Sequence, residues 1–357
     1  MNIGIIGCGN ISKTYLTNAA LFPSVKVTAV ADIRREAAEA RGAEFGVPAR
    51  SVEELLADPS IGAVVNLTIP AAHVAVGMQI LEAGKHAYLE KPLAIDLASG
   101  RKLLDCAASR GLRVGCTPDT FMGAGQQTAR RLLDQGAIGE PLSGAVFMMI
   151  GGPEGWHPNP AFFYQPGGGP VLDRGPYYMA TLVNLFGPVK SVIGSCSRGY
   201  VERTCGAEAI RGQRIPVEVS THVTGVLTFH SGPVITVAFS FDVKDHTHRN
   251  IEIYGTKGSM SVPDPNIFGG DVLVKVGGTE WVVQPHTHPY AENSRMIGLV
   301  DLLDGVATGR PSRCDGQLAY HALEIMLAFE QSHREGRRID LASRPERPAA
   351  MPGLSGK

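Results

Sequence analysis

The segment NIGIIGCGNIS, residues 2–12, constrains the fold of this chain more than any other. An apolar run of strand character ends at Gly7 and Gly9, and Asn10 opens a helical pattern. Gly7 permits a tight turn and Gly9 lets a ligand approach the backbone. Asn10 and Ile11 begin a helix whose first amides and partial positive charge suit a pyrophosphate. The third small-residue position holds Ser12 where Gly or Ala is usual, so slightly looser helix packing is expected. Asp32 ends the next strand-like run about 20 residues on, the spacing at which a carboxylate accepts ribose hydroxyls. Together these features describe a dinucleotide-binding βαβ unit. Asp32 repels a 2′-phosphate and so favours NAD, while Arg34 and Arg35 leave NADP open.

The same rhythm continues through residue 117. Strand-like runs at 2–6, 25–31, 63–67, 86–89 and 113–116 alternate with helical periodicity, the pattern of a parallel sheet with crossover helices. Ser51 with Glu54 forms a capping box, and Asp96 opens a helix that Gly111 ends. After a further helix at about 122–135 the rhythm changes. Longer alternating strands follow, with Ile235, Val237, Phe239 and Phe241 on one face and Thr236, Ala238 and Ser240 on the other. His222, Thr224, Val226 and Thr228 line that second face on the preceding strand. The expected fold is α/β: an N-terminal Rossmann doubly wound parallel sheet, then a C-terminal α+β domain on an open-faced, largely antiparallel sheet. The expected boundaries are 1–120 for the NAD(P)-binding domain and 121–340 for the substrate-binding and oligomerisation domain, which includes helices at 293–308 and 315–335. A loose tail is expected over 341–357.

Composition excludes several functions. The 357 residues carry 33 basic and 34 acidic side chains, and neither half has the positive excess that phosphate backbones require. No nucleic-acid partner is expected. No apolar run approaches the ~18 residues of a membrane span, and a strand beginning at Asn2 leaves no room for a signal peptide. The six cysteines form no CxxC pair, so a reduced, cytoplasmic protein without a zinc site is expected. His246/His248 and His286/His288 have HxH spacing but no accompanying carboxylate or thiolate cluster, so no metal is expected. The small, uncharged residues of the open sheet face suit a homo-oligomer, a homodimer or homotetramer.

Residues 66–94, NLTIPAAHVAVGMQILEAGKHAYLEKPLA, place two further turns beyond the ends of parallel strands, where open sheets bind ligands. One turn carries Thr68, Pro70 and His73, the other Glu90, Lys91 and Pro92. Taken alone, Lys91 is a strand-end lysine and His73 a helix cap. Taken with GCGNIS, Asp32, GAIGEP at 136–141 and GGGPVLDRGPYY at 167–178, the set resembles the glucose-fructose oxidoreductase/inositol dehydrogenase/rhizopine-catabolism (Gfo/Idh/MocA) family over about residues 1–340. The resemblance implies NAD(P)-dependent transfer of a hydride to or from a ring carbon of a sugar, glycoside or cyclitol. It implies a cofactor site of Gly7, Gly9, Asn10, Ile11, Asp32, Thr68, Pro70, His73, Glu90 and Lys91, with Lys91 near the reacting hydroxyl.

One departure matters. Many members place a His four residues after the Asp of the helix that follows the Gly-rich turn, but here Asp173 is followed by Tyr177. Glucose-fructose oxidoreductase and dihydrodiol dehydrogenase resemble this chain in using a Tyr there. Lys91, Asp173 and Tyr177 are therefore the catalytic candidates, with Tyr178 as a competitor and a histidine such as His157 as a substitute base. Asp119, Trp156 and His157 join them as substrate-binding candidates, with Thr120, Asn159, Tyr164 and Gln165 nearby in sequence. Two alternatives remain open: an NAD-dependent glycosidase working through transient oxidation, and a silent sugar- or NAD-sensing protein.

Overall fold

The computed structural model describes residues 1–354. The chain divides into two units, residues 1–122 with 292–323, and residues 123–291 with 324 onward. The first unit opens with β1 (Asn2–Ile6), α1 (Asn10–Asn18), β2 (Lys26–Ala31), α2 (Arg35–Phe45) and α3 (Val52–Ala57). It continues through β3 (Ala63–Asn66), α4 (His73–Glu82), β4 (His86–Leu89), α5 (Leu97–Ser109) and β5 (Val114–Cys116). The strands pair in parallel in the order β2-β1-β3-β4-β5. Every residue of β3 is buried, as happens when helices cover both faces of a parallel sheet. The chain leaves β1 for a neighbour on one side and returns through β3 on the other, which creates a crevice at the C-terminal strand ends. The expected caps are present: Ser51 and Glu54 exchange both bonds of a capping box, and the Asp96 carboxylate accepts the Ser99 amide.

The second unit contains α6 (Ala124–Asp134), β6 (Pro141–Met149), α7 (Gly169–Phe186), β7 (Val189–Ser197), and the small hairpin β8 (Glu202–Thr204) and β9 (Arg214–Pro216). Then come β10 (His222–Phe229), β11 (Val234–Ser240), β12 (Ile251–Gly255), β13 (Gly258–Val262), β14 (Val272–Val276) and β15 (Val282–Gln284). The chain ends with α8 (Ile297–Thr308), α9 (Gly316–Glu335), which starts in the first unit and finishes in the second, and β16 (Ile339–Asp340). The nine-stranded sheet has the order β15-β14-β13-β12-β6-β11-β10-β7-β16. Its pairs are antiparallel except for the parallel pair β6 and β11. Val223, Leu227, Phe229, Ile235, Val237 and Phe239 are buried on one face, against which α6 and α7 pack. On the other face Thr224, Val226 and Thr228 are partly exposed and Thr236 is exposed.

The structure corrects three expectations. Residues 292–323 pack in the first unit, not the second: Cys116 N–H donates to Cys314 O at 3.1 Å, and Asn18 Nδ2 donates to the carbonyls of Asn293 and Arg295. Periodicity marks α8 as a buried helix without saying which sheet it covers; the unpaired edge of β5 decides that. Ala238 and Ser240, expected on the open face, are 7% and 0% exposed. The 241–250 loop folds back there, with His248 stacked at 4.2 Å on Phe147, the register partner of Ala238. His222 Nδ1 and the Asp242 amide both meet Ser240 Oγ at 3.0 Å.

The tail has no regular structure beyond residue 340, yet 341–354 is held along its length; residues 355–357 of the expected tail lie outside the described residues. Glu324 accepts the amides of Ala342 and Ser343, and Arg347 Nε donates to Asn184 O at 2.9 Å. Arg130 donates to Pro348 O at 3.1 Å, and the Met351 amide donates to Gln127 Oε1 at 2.9 Å. Lack of periodicity rules out helix and strand, but it does not show whether buried side chains such as Arg130 need backbone partners. All six cysteines are free and buried, and among the described residues no helix is long and apolar enough to cross a membrane.

Candidate active site

In the first unit, Gly7 has φ of 102°, and a Cβ there would lie 2.5 Å from Leu67 C, so the turn admits only glycine. Gly9 is different. Its φ of −71° suits any residue, and nothing lies within 4 Å of where a Cβ would sit. The fold itself therefore does not require glycine at position 9, but a side chain would fill the space in front of the first amides of α1. That space suits a pyrophosphate, and α1 has neither a side-chain cap nor an acidic first turn to compete for those amides. Ser12 is fully buried and donates to Gly9 O at 2.6 Å, so its hydroxyl is absorbed within the turn.

Asp32 closes this turn. Its carboxylate accepts the amides of Cys8 at 2.7 Å and Arg34 at 2.9 Å, leaving acceptor positions for ribose hydroxyls. Arg34 Nε stands 4.0 Å from it on an exposed side chain. Ile33 and Ile69 follow β2 and β3, the two strands flanking β1, and are 98% and 69% exposed. Apolar side chains held so open suit the faces of an adenine ring. Sequence reading missed them because only their exposure sets them apart from core isoleucines.

The Thr68–His73 and Glu90–Pro92 turns form one hydrogen-bonded assembly. His73 is 1% exposed and its ring nitrogens meet Pro92 O at 2.7 Å and Thr68 O at 3.0 Å. Both ring nitrogens are thus committed, and His73 acts as a strut between the two turns, not as a direct cofactor ligand. Asn66, absent from the expected set, is fully buried; it accepts the Thr68 hydroxyl at 2.6 Å and donates to His73 O at 2.9 Å. Glu90 likewise faces inward, receiving the Tyr15 hydroxyl of α1 at 3.1 Å and the Lys91 amide at 3.1 Å. The Lys91 amide also donates to Thr117 Oγ1 at 2.8 Å. The backbone that presents Lys91, two residues beyond β4, is fixed from two directions, and Pro70 and Asn10 remain exposed at the crevice.

Asp119 is corrected. It is 1% exposed, and its Oδ2 accepts the amides of Met296 at 3.0 Å and Gly298 at 3.1 Å. It therefore anchors the start of α8 and is not available to a substrate. Burial is the main reason its pKa rises to about 6, against the opposing pull of those amides and Arg295.

In the second unit, Asp173 and Tyr177 lie one turn apart on α7, four residues being the spacing that puts side chains on one helical face. Both are partly exposed, and Arg174 Nε lies 3.1 Å from Asp173 Oδ2. Tyr178 is 2% exposed, its hydroxyl accepts from Asn250 Nδ2 at 3.0 Å, and its ring meets Phe239 edge-on at 5.3 Å. Burial raises its pKa further above the ordinary phenol range. Tyr178 is a packing residue, whereas Tyr177 is partly exposed.

The loop from Ile150 to Gly168 carries the remaining candidates. Trp156 is 60% exposed and meets His157 edge-on at 5.4 Å, and His157 packs against Phe162 and Phe163. His157 Nδ1 accepts the Asn159 amide at 3.0 Å. Tyr164 is withdrawn from the substrate-facing set, being buried with its hydroxyl on Glu154. Three histidines of the HxH pairs are spent on backbone, His246 on Met149 O, His286 on Gly270 O and His288 on Met351 O, and His248 stacks on Phe147. No cluster that could hold a metal ion occurs among the described residues.

A parallel β-α-β sheet with this turn and this carboxylate defines a dinucleotide-binding Rossmann unit. Residues 1–117 match the oxidoreductase family with an NAD-binding Rossmann fold, and residues 126–261 match the GFO/IDH/MocA C-terminal domain. The chain belongs to the Gfo/Idh/MocA family. It is 28% identical over 264 residues to the 1,5-anhydro-D-fructose reductase of Ensifer adhaerens, covering 72% of this chain and 74% of that one. It is 26% identical over 286 residues to the trans-1,2-dihydrobenzene-1,2-diol dehydrogenase of Bos taurus, covering 79% and 80%. The structure of an NAD binding oxidoreductase from Klebsiella pneumoniae superposes with a TM-score of 0.83 at 20% identity, over 95% of this chain and 98% of that one.

Proposed function

We propose that the protein is a dehydrogenase or reductase acting on a CH–OH carbon of a sugar, glycoside or cyclitol. The observation that carries this reading is the presentation of Lys91: a lysine held at the C-terminal end of β4 by Glu90 and Thr117, in the same unit as the Gly7–Asp32 dinucleotide turn. That turn, Asp32, Ile33 and Ile69 would hold NAD, which when bound would supply the hydride acceptor or donor. Tyr177 takes the proton from the reacting hydroxyl during oxidation and returns it during reduction. Lys91 and Asp173 orient that hydroxyl, and the ammonium of Lys91 eases its loss of a proton. Trp156 offers the apolar face of the ring a flat wall, and His157 a polar neighbour. The names of the reductase and diol dehydrogenase relatives support a polyhydroxylated ring as substrate.

NAD is preferred over NADP, because the carboxylate of Asp32 stands where a 2′-phosphate would have to go. The open face of the nine-stranded sheet supports a homodimer or homotetramer, and the six free thiols support a reducing, cytoplasmic setting. The deciding experiment is absorbance of reduced nicotinamide across D-glucose, myo-inositol and 1,5-anhydro-D-fructose with each cofactor, beside a leaving-group assay on aryl glycosides. Net cofactor turnover supports this reading. Leaving-group release without net turnover replaces it with a glycosidase, and neither signal replaces it with a sensing protein. Sedimentation at micromolar concentration tests the assembly, and a clean monomer refutes it.

A further inference from the structure

The second unit contains a buried ion network that the proposed reaction does not use. Arg203 is 8% exposed, although it sits in the middle of β8 in a hairpin whose other residues are mostly open to solvent. Its guanidinium donates to Glu154 Oε1 at 3.2 Å, to Phe241 O at 3.0 Å and to the Asp242 carboxylate, and its flat face covers the Tyr200 ring at 4.4 Å. Tyr164 donates to the second oxygen of Glu154, and Thr221 donates to Asp242 Oδ2 at 2.7 Å. Main chain reinforces the link: Gly206 N–H donates to Glu154 O at 2.9 Å, and Glu218 N–H to Tyr164 O at 2.8 Å.

Topology shows what this network joins. Glu154 lies in the loop that leaves β6, and Asp242 in the loop that leaves β11. These are the parallel neighbours of the sheet, and their last residues, Met149 and Ser240, are register partners. Both loops therefore rise from the same sheet end, and Arg203 bridges them from a third segment. A buried ion pair rarely adds stability over apolar residues of the same volume, but a planar guanidinium between two carboxylates sets geometry that apolar contacts would leave loose. The side chains next to the anchored point are Trp156 and His157, two and three residues after Glu154.

We infer that Arg203, with Glu154 and Asp242, is a positioning residue that holds Trp156 and His157 ready for the sugar ring, and so governs sugar affinity and selectivity more than the chemical step. The inference rests on the reading that Trp156 lines the sugar site. Trp156 and Trp281 are the two tryptophans, so in a Trp281→Phe background the fluorescence of Trp156 reports on the loop without any ligand. Glu154→Gln, which keeps shape, and Arg203→Met should lower Trp156 anisotropy and increase its quenching by acrylamide. They should raise KM for D-glucose, myo-inositol or 1,5-anhydro-D-fructose, whichever is turned over, about tenfold, with kcat within about threefold and NAD affinity unchanged. Arg203→Lys should restore little of this, since an ammonium cannot span both carboxylates. A folded Glu154→Gln enzyme with unaltered Trp156 anisotropy overturns the inference even if Arg203→Met fails to fold. A loosened Trp156 with unaltered sugar KM overturns the role in selectivity. Trp156→Ala with unaltered KM refutes instead the placement of Trp156 at the sugar, while the roles of Lys91 and Tyr177 are judged by their own variants.

Discussion

The five-stranded sheet buries consecutive residues, as in β3, whereas the nine-stranded sheet buries alternate ones, as in β10. In the first case both faces are covered and a ligand can reach only the strand ends, where Gly9, Asp32 and Lys91 stand. In the second case one face stays open and the strand-end loops are long, tied together by side chains such as Arg203 and His248. The cofactor half is thus built from short turns that present the amides of α1, the Asp32 carboxylate and the open side chains of Ile33 and Ile69. The half that carries Asp173, Tyr177 and Trp156 is built from side chains held by other side chains. Reactions shared across a family can rest on the first kind of construction, and selectivity for one ring on the second.

The contrast can be broken most severely at Lys91. Lys91→Met should lower kcat by about 10³-fold or more while NAD affinity measured by titration changes little, because the turn and Asp32 hold the nucleotide. Full activity in this variant refutes the mechanism. Tyr177→Phe should lower kcat by about 10²–10⁴-fold, the usual worth of a positioned acid or base. Tyr178→Phe should instead keep kcat within about tenfold and lower the melting temperature, since it loses a buried hydrogen bond worth about 1 kcal/mol. If the two effects are exchanged, the proton donor has been assigned to the wrong tyrosine.

Smaller effects sharpen the cofactor side. Gly9→Ala should weaken NAD by about tenfold or more with a melting temperature close to wild type, because the added methyl meets no protein atom but enters the space before α1. Gly7→Ala should be destabilised as well, since its Cβ would collide with the Leu67 backbone. Equal loss of stability in both would mean that Gly9 serves the fold after all.

The last expected effect concerns pH and touches stability, not turnover. Folded Asp119, with its pKa near 6, binds a proton more tightly than the unfolded chain, whose value is near 3.8. Between those values the native state holds more protons, so stability falls as pH rises through that window, by up to about 3 kcal/mol at about 1.36 per unit. Denaturant melts of wild type and Asp119→Asn from pH 4 to 7 should show this fall in the first and not in the second. Parallel curves would show that Asp119 titrates normally.

The pairing of Asp173 with Tyr177 is implied by the family resemblance, whereas the chain order of strands and helices in the first 117 residues, the caps at Ser51 and Asp96 and the dinucleotide turn could all be read from local spacing. Each depends on residues a few positions apart, where backbone sterics and helix periodicity act directly. Four other features could not. The packing of 292–323 in the first unit depends on the β5 edge about 180 residues earlier in the chain. His73 and Asp119 are candidate ligand contacts in sequence, but the Thr68 and Pro92 carbonyls claim the ring nitrogens of His73, and amides about 180 residues away claim the carboxylate of Asp119. Tyr177 and Tyr178 are adjacent and chemically identical, and only the side of α7 that meets Phe239 and Asn250 tells them apart. The tail reads as unanchored because its partners, Arg130, Gln127 and Asn184, lie on helices more than 150 residues away. Local sequence thus carries the element pattern and the general reaction, since short-range sterics and motif chemistry act within one turn. Which polar atoms remain for substrate depends on which are first satisfied by burial, and that follows from contacts between residues far apart in the chain.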